Sequence, residues 1–239
     1  DPAGIATVSS SGLVRPLAAG RTTLTISQSG RSLSVPIEVR GYDDPAPVSF
    51  RNEIIPILTK ARCNSGGCHG KAEGQNGFKL SIFGFDTASD YQALVMESRG
   101  RRVFPASPRQ SLIFLKGSAR VPHGGGRQID PGSYRDRRLL RWIAEGARYT
   151  STGDESNRIV SIEIEPTEQV LLAGESQQLR VTAIDAAGNR YGVTTETEFE
   201  SNAAPIADVD STGLIQASDI PGEAAILVRY LGFVAICRV

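Results

Sequence analysis

The stretch Ala61–Gly70, ARCNSGGCHG, holds two of the chain's three cysteines, Cys63 and Cys68, and one of its two histidines, His69, directly after the second cysteine. A Cys-x-x-Cys-His run is the attachment signature of c-type haem, but here four residues stand between the cysteines. Haem attachment requires two thiols placed to reach two vinyl groups and an imidazole placed to reach the iron. His69 supplies the imidazole. Asn64, Ser65, Gly66 and Gly67 suit an outward bulge that leaves the anchors in place. Two other readings compete on spacing alone. A zinc site would gather Cys63, Cys68, His69 and His123 as a Cys2His2 set, although neighbouring side chains at 68 and 69 diverge. A Cys63–Cys68 disulfide beside a bystander histidine suits an exported protein.

Working outward, the flanks read as helical. In FRNEIIPILTKARC, residues 50–63, Phe50, Ile54, Ile57 and Leu58 share one helical face, and Pro56 implies a kink or a late start. SPRQSLIFLKG, residues 107–117, offers Ser107 as N-cap, Pro108 at the first helical position and Gly117 as stop. GSYRDRRLLRWIAEGA, residues 132–147, has Ser133 as N-cap, an apolar stripe of Leu139, Leu140 and Ile143, and Gly146 at its end. A helix, a Cys-Cys-His loop, small helices and a closing amphipathic helix follow the order of a small cytochrome c. The expectation is a small all-α domain between β modules.

Those modules announce themselves as a broken repeat. IATVSSSGLV at 5–14 matches IADVDSTGLI at 206–215, and AGRTTLTISQSGRSLSVPIEV at 19–39 matches PGEAAILVRYLGFVAICRV at 221–239 with small gaps. Apolar residues alternate in both, Leu24 and Ile26 in one and Ile226 and Val228 in the other, between Gly-containing turns. That is the pattern of antiparallel strands in a sandwich. The second unit begins near Arg158, with turns expected at Ala173-Gly174 and Ala187-Gly188-Asn189.

On these motifs residues 158–239 resemble a complete bacterial Ig-like domain of group 2, and residues 1–41 resemble the C-terminal half of one. The half module implies a longer parent polypeptide and an open sheet edge. Residues 48–148 resemble the planctomycete-type cytochrome c domain that occurs beside such modules, on IIPILTKARCNSGGCHG, GQNGFKLSIFGFD, VPHGGG and LLRWIAEGA. The wider cysteine spacing departs from c-type cytochromes in general. The resemblance implies one haem c, bound covalently by Cys63 and Cys68, with His69 as proximal iron ligand.

For the distal ligand, His123 is the only other histidine. Its loop, RVPHGGGRQ, carries three glycines that let backbone pass close to a flat macrocycle. A lone loop histidine is ordinarily a solvent-exposed side chain, and the family's matching VPHGGG implies a ligand here. The rival is Met96, the only methionine, in the helical stretch DYQALVMESRG where packing is the commoner role. Arg99, Arg101, Arg102 and Arg127 are candidates to pair with haem propionates. Cys237 aligns with Val35 and reads as a buried structural thiol, and Trp142 reads as core.

The net charge of zero conceals an asymmetry. Residues 48–148 carry 17 Lys and Arg against 8 Asp and Glu, whereas residues 149–239 carry 5 against 14. Opposite surfaces of this kind suit separate or mutually docking domains. The basic segment lacks the interleaved aromatics of a nucleic-acid binder, and no apolar run is long enough to span a membrane. The expected function is an extracytoplasmic module, in the periplasm or at the cell surface, that passes single electrons to a redox partner protein and is not itself an enzyme. The alternative is a structural or adhesive Ig-like protein with a zinc- or disulfide-stabilised insert.

Overall fold

A computed structural model describes residues 4–9, 12, 14–149 and 155–239, so parts of the N-terminal repeat motif, residues 10, 11 and 13, lie outside the described residues. The chain divides into two compact units, Asp1–Pro47 and Val48–Val239.

In the first unit β1 (Ala6–Val8) pairs antiparallel with β2 (Val14–Pro16), and β3 (Gly20–Gln28) pairs with β4 (Arg31–Val39) along their full lengths. Ser29 and Gly30 both take positive φ, 50° and 78°, which matches the twist a two-residue hairpin turn requires. The apolar alternation leaves Ile26 and its cross-strand partner Leu33 at 52% and 62% exposure.

The C-terminal part of the second unit is built of β5 (Ile159–Glu165), β6 (Ser176–Gln178), β7 (Arg180–Asp185), β8 (Arg190–Gly192), β9 (Glu198–Ser201), β10 (Ala207–Val209), β11 (Leu214–Ala217), β12 (Ala225–Tyr230) and β13 (Phe233–Arg238). Three small antiparallel sheets, ordered β5-β7-β8, β13-β12-β9 and β10-β11-β6, enclose one core. Ile164, Val181, Ile215, Ile226 and Val228 are buried there by period-two alternation. Cys237 sits opposite Ile226 and is fully buried, as its apolar register implies. The expected turns form at Gly174 and Gly188, both with positive φ.

Residues 48–148 do not form the expected small all-α cytochrome c-like domain. Strand makes up 30% of the structure, and the helical content is only four short α-helices. Among the described residues these are α1 (Ile55–Lys60), α2 (Thr87–Tyr91), α3 (Leu112–Gly117) and α4 (Tyr134–Ala144). The β content fits the Ig-like part of the expectation. The reason is local. Pro, Gly and positive-φ residues, among them Arg62, Phe83, Arg99 and Ala119, break every helical run but the last. The segment is instead a set of loops pinned on a core of Phe50, Ile54, Leu58, Leu94, Leu139 and Trp142.

The helix ends show how. A wide turn, Phe50–Ile54, precedes α1, so the capping carboxylate lies four residues from the cap. Ser49 Oγ accepts from Asn52 N, and Glu53 Oε2 accepts from Ser49 N at 2.8 Å. Pro56 falls within the first turn of α1, where its missing N–H is harmless. Ser107 makes no side-chain cap, because the run it heads splits at Ser111 into a 3₁₀ turn and α3. Ser133 does cap α4, accepting from Asp136 N at 3.2 Å.

This segment and the sandwich pack as one unit. Lys60 Nζ, at the C-terminal end of α1, donates to the carbonyls of Thr197 and Ser211 and lies over the Phe199 ring. Asn52 Nδ2 donates to Asn157 O at 2.7 Å, and the Arg229 guanidinium lies 4.8 Å from the Phe83 ring centre. Leu231 packs against both cores.

Candidate functional site

The Cys-Cys-His loop is closed by its own backbone. α1 stops at Lys60, Arg62 takes φ 57°, and Cys63 N donates back to Leu58 O at 2.8 Å. His69 N then donates to Cys63 O at 2.9 Å, so the residues between the cysteines form an excursion that returns to its starting point. Gly66 and Gly67 are exposed at its tip, with open space around them. Asn64 points the other way. It is buried, donates through Nδ2 to Thr59 Oγ1 at 2.9 Å, and accepts from Phe83 N through its backbone oxygen. A Cβ on Gly70 would stand 2.2 Å from Asn64 O, so the residue after His69 has to be glycine for the loop to close.

His69 faces a second loop. Its Nδ1 lies 3.0 Å from Phe78 O, and Leu80 N donates to its backbone oxygen at 2.8 Å. Gly74, at φ 64°, brings that loop round, and a Cβ there would meet Phe78 O at 2.5 Å. His123 is held in the same manner, with Nδ1 2.9 Å from Gly126 O. A carbonyl oxygen only accepts, so each Nδ1 is a donor and Nε2 is the nitrogen turned to other partners. The two imidazole planes lie within 7° of parallel with centroids 6.4 Å apart.

Both rings line a cavity of about 410 Å³, inside the range of small-molecule and cofactor sites. Leu58, Phe78, Leu112, Ile113 and Ile129 provide apolar wall, Cys63 lies at one side, and Arg101, Arg102 and Lys116 bring positive charge. Among the described residues no carboxylate lines it. A larger cavity of about 760 Å³ lies at one end of the sandwich, lined by Glu168, Val170, Leu172 and Ile220 among others. It holds no histidine, cysteine or nucleophile cluster, so the smaller cavity is the candidate site.

Of the residues singled out in the sequence, Cys63, His69 and His123 line the cavity. Cys68 is half-buried beside it and outside its lining. Met96 is 67% exposed and does not line it. Arg101 and Arg102 do line it; Arg99 and Arg127 do not, and Arg127 pairs with Asp130 at 3.1 Å. Cys63 and Cys68 are free thiols. Among the described residues no three His, Cys, Asp or Glu side chains converge as a metal-binding group, so the four zinc candidates do not meet. Trp142 is core, its Nε1 donating to Arg148 O at 2.9 Å.

Two groups escaped the sequence reading. One is the Phe78 carbonyl, which no motif marks beyond the turn glycines Gly74 and Gly77 before it. The other is the role of Arg102, whose buried guanidinium holds two backbone carbonyls besides its ion pair with Glu97.

Burial pushes the His69 pKa below its ordinary value, and the neighbouring His123 and Arg102 act in the same sense against the Phe78 hydrogen bond. The neutral imidazole, the form that binds metals, is thereby favoured. The Cys63 thiol is pushed up to about 12, mainly by burial and then by Cys68.

These residues suit a flat, largely apolar metal-bearing ligand with acidic groups: two near-parallel imidazoles with centroids 6.4 Å apart line one cavity, each has Nδ1 fixed by a carbonyl in the manner of ligating histidines, and among the described residues the lining holds cations and no acid. No protein-family model and no curated protein matches this chain.

Proposed function

We propose that this chain holds one haem c, attached through Cys63 and Cys68 with His69 and His123 as axial ligands, and works as an extracytoplasmic one-electron-transfer module rather than an enzyme. The observation that carries the reading is the near-parallel pair of imidazoles, each with Nδ1 tied to a carbonyl, facing one apolar cavity beside Cys63. Bound haem would supply a one-electron iron couple.

The chain's own residues do the rest. His69 stays neutral and aimed, and His123 is held by its own tight turn, in which Gly126 N donates to His123 O at 3.0 Å. Leu58, Leu112, Ile113 and Ile129 exclude water. Arg101 and Lys116 give positive charge at a cavity without acids, which suits the carboxylates of an otherwise apolar ligand. With both imidazoles engaged, a bound iron would keep no vacancy, so electron transfer is favoured over oxygen activation or small-gas sensing. Covalent haem and Ig-like modules both belong outside the cytoplasm.

The test is covalency. Full-length chain produced with haem-maturation machinery should gain the mass of one haem, retained through acid-acetone extraction. Joint replacement Cys63→Ala and Cys68→Ala should abolish the retained species. Haem that withstands extraction in the double variant, or no haem in the wild type, overturns the reading.

A further inference from the structure

We infer that Arg102 is a positioning residue that holds His69 in its ligating orientation; the inference rests on the haem reading above. Arg102 is 4% exposed. Its Nη2 donates to Gly77 O and its Nη1 to Ala93 O, both at 2.6 Å. Its guanidinium lies 4.6 Å from the centre of the Phe78 ring, and that ring lies 4.6 Å from the His69 ring. The Gly77 and Phe78 carbonyls belong to adjacent peptides. Arg102 holds the first, and the second holds His69 Nδ1.

A buried guanidinium is costly unless its donors are satisfied. Here two of them are taken by carbonyls of the 75–78 turn and of the helical turn Gln92–Met96, and Glu97 stands 3.7 Å from Nη1. A planar fork reaches both carbonyls while stacking on an aromatic face, which an ammonium does not do. Gln75 N donates to Phe78 O at 2.9 Å, and the Arg102 fork on Gly77 O, with its guanidinium over the Phe78 ring, braces the turn that carries this carbonyl. That carbonyl decides which imidazole nitrogen bears the proton and where the ring plane lies.

Arg102→Gln and Arg102→Lys in the full chain test this with two readouts. In haem-free protein, nitrogen-15 imidazole shifts should show His69 almost wholly as the Nδ1–H tautomer in the wild type. In Arg102→Gln the tautomer ratio should fall about tenfold, the size of effect that losing one hydrogen bond produces, and Arg102→Lys should recover only part of it. In ferric haem-loaded protein, electron paramagnetic resonance should show one rhombic low-spin species, replaced in Arg102→Gln by a broader, more anisotropic one as the His69 plane rotates. Phe78→Leu, which keeps the carbonyl and removes the stacking ring, should shift both readouts in the same direction and stands in if Arg102→Gln does not fold. A folded Arg102→Gln or Phe78→Leu variant with unchanged tautomer and unchanged resonance overturns the inference. Wild-type protein that takes up no covalent haem sinks the haem reading instead, and the tautomer measurement still decides the role of Arg102.

Discussion

The imidazoles of His69 and His123 lie within 7° of parallel with centres 6.4 Å apart, although the two residues belong to separate loops of unlike sequence. Each loop solves the same problem by the same means. A backbone carbonyl accepts from Nδ1, Phe78 O of a neighbouring loop in one case and Gly126 O of the same loop in the other. The pairing gives the axial assignment a definite spectroscopic content.

Bis-histidine ligation with parallel planes predicts a low-spin ferric protein that does not bind carbon monoxide readily. Its potential should lie below that of His/Met cytochromes, since methionine raises the potential. His123→Ala should turn the spectrum partly high-spin and admit carbon monoxide. Met96→Leu should leave it unchanged, because Met96 lies exposed and outside the cavity lining. Loss of an iron–sulfur charge-transfer band in Met96→Leu would reverse the assignment.

Two glycines of the Cys-Cys-His loop should respond in opposite ways. Gly70→Ala places a Cβ 2.2 Å from Asn64 O, and relief of such overpacking costs about 1–3 kcal/mol. Gly66 has nothing within 4 Å of the corresponding position, so Gly66→Ala should be neutral or slightly stabilising. Urea unfolding of the two variants makes the comparison. Equal stability of both would mean that the loop does not close on Asn64.

Lys60 joins α1 to the β-rich part of its unit. Lys60→Met retains the stem but leaves the Thr197 and Ser211 carbonyls without their donor. Thr197 is buried and Ser211 exposed; one unsatisfied buried acceptor costs about 1–3 kcal/mol, and a loss of that size should appear in denaturant unfolding at neutral pH. The visible spectrum of haem-loaded Lys60→Met should be unchanged, since Lys60 does not line the cavity. A spectral change would show that the sandwich reaches the iron through α1.

Asp90 gives a pH dependence with a definite sign. It is buried, accepts from Ser81 N and from Ser81 Oγ at 2.7 Å, and burial outweighs these bonds to push its pKa up to about 6. A carboxyl whose folded pKa is raised binds its proton more tightly when folded. Its contribution is therefore complete below about pH 4, the unfolded value, and is lost as pH rises through about 6. Stability measured from pH 4 to 7 should carry a falling component of roughly 2 kcal/mol from this group. Asp90→Asn should remove that component, and an identical pH profile in wild type and variant would exclude it.

Features set by neighbours in the chain were legible in the sequence. Ser133 caps α4, Gly174 and Gly188 turn the strands, alternation buries Ile226 and Val228, and Gly66 and Gly67 bulge between the cysteines. Each depends on hydrogen bonds or side-chain periodicity within a few residues, so composition and spacing carry the information. The all-α expectation failed for a related reason. Amphipathic spacing at 50–60 and 107–117 is real, but backbone breaks at Arg62, Phe83, Arg99 and Ala119 leave runs too short to build a helical domain.

The site itself was legible only in part. Cys63, Cys68, His69 and His123 could be named from residue type and order, while the ties that orient the histidines could not. Main-chain carbonyls such as Phe78 O exist at every position and are selected only by where packing brings them. The inward fork of Arg102 and the reach of Lys60 to Thr197 and Ser211 are likewise settled by burial between distant segments. The amino-acid sequence alone determined the local turns, the caps, the β periodicity and the inventory of ligating atoms. Tertiary structure decided which of those atoms face one cavity and what holds them there, because the free energy of such contacts comes from desolvation and packing between segments that no local pattern links.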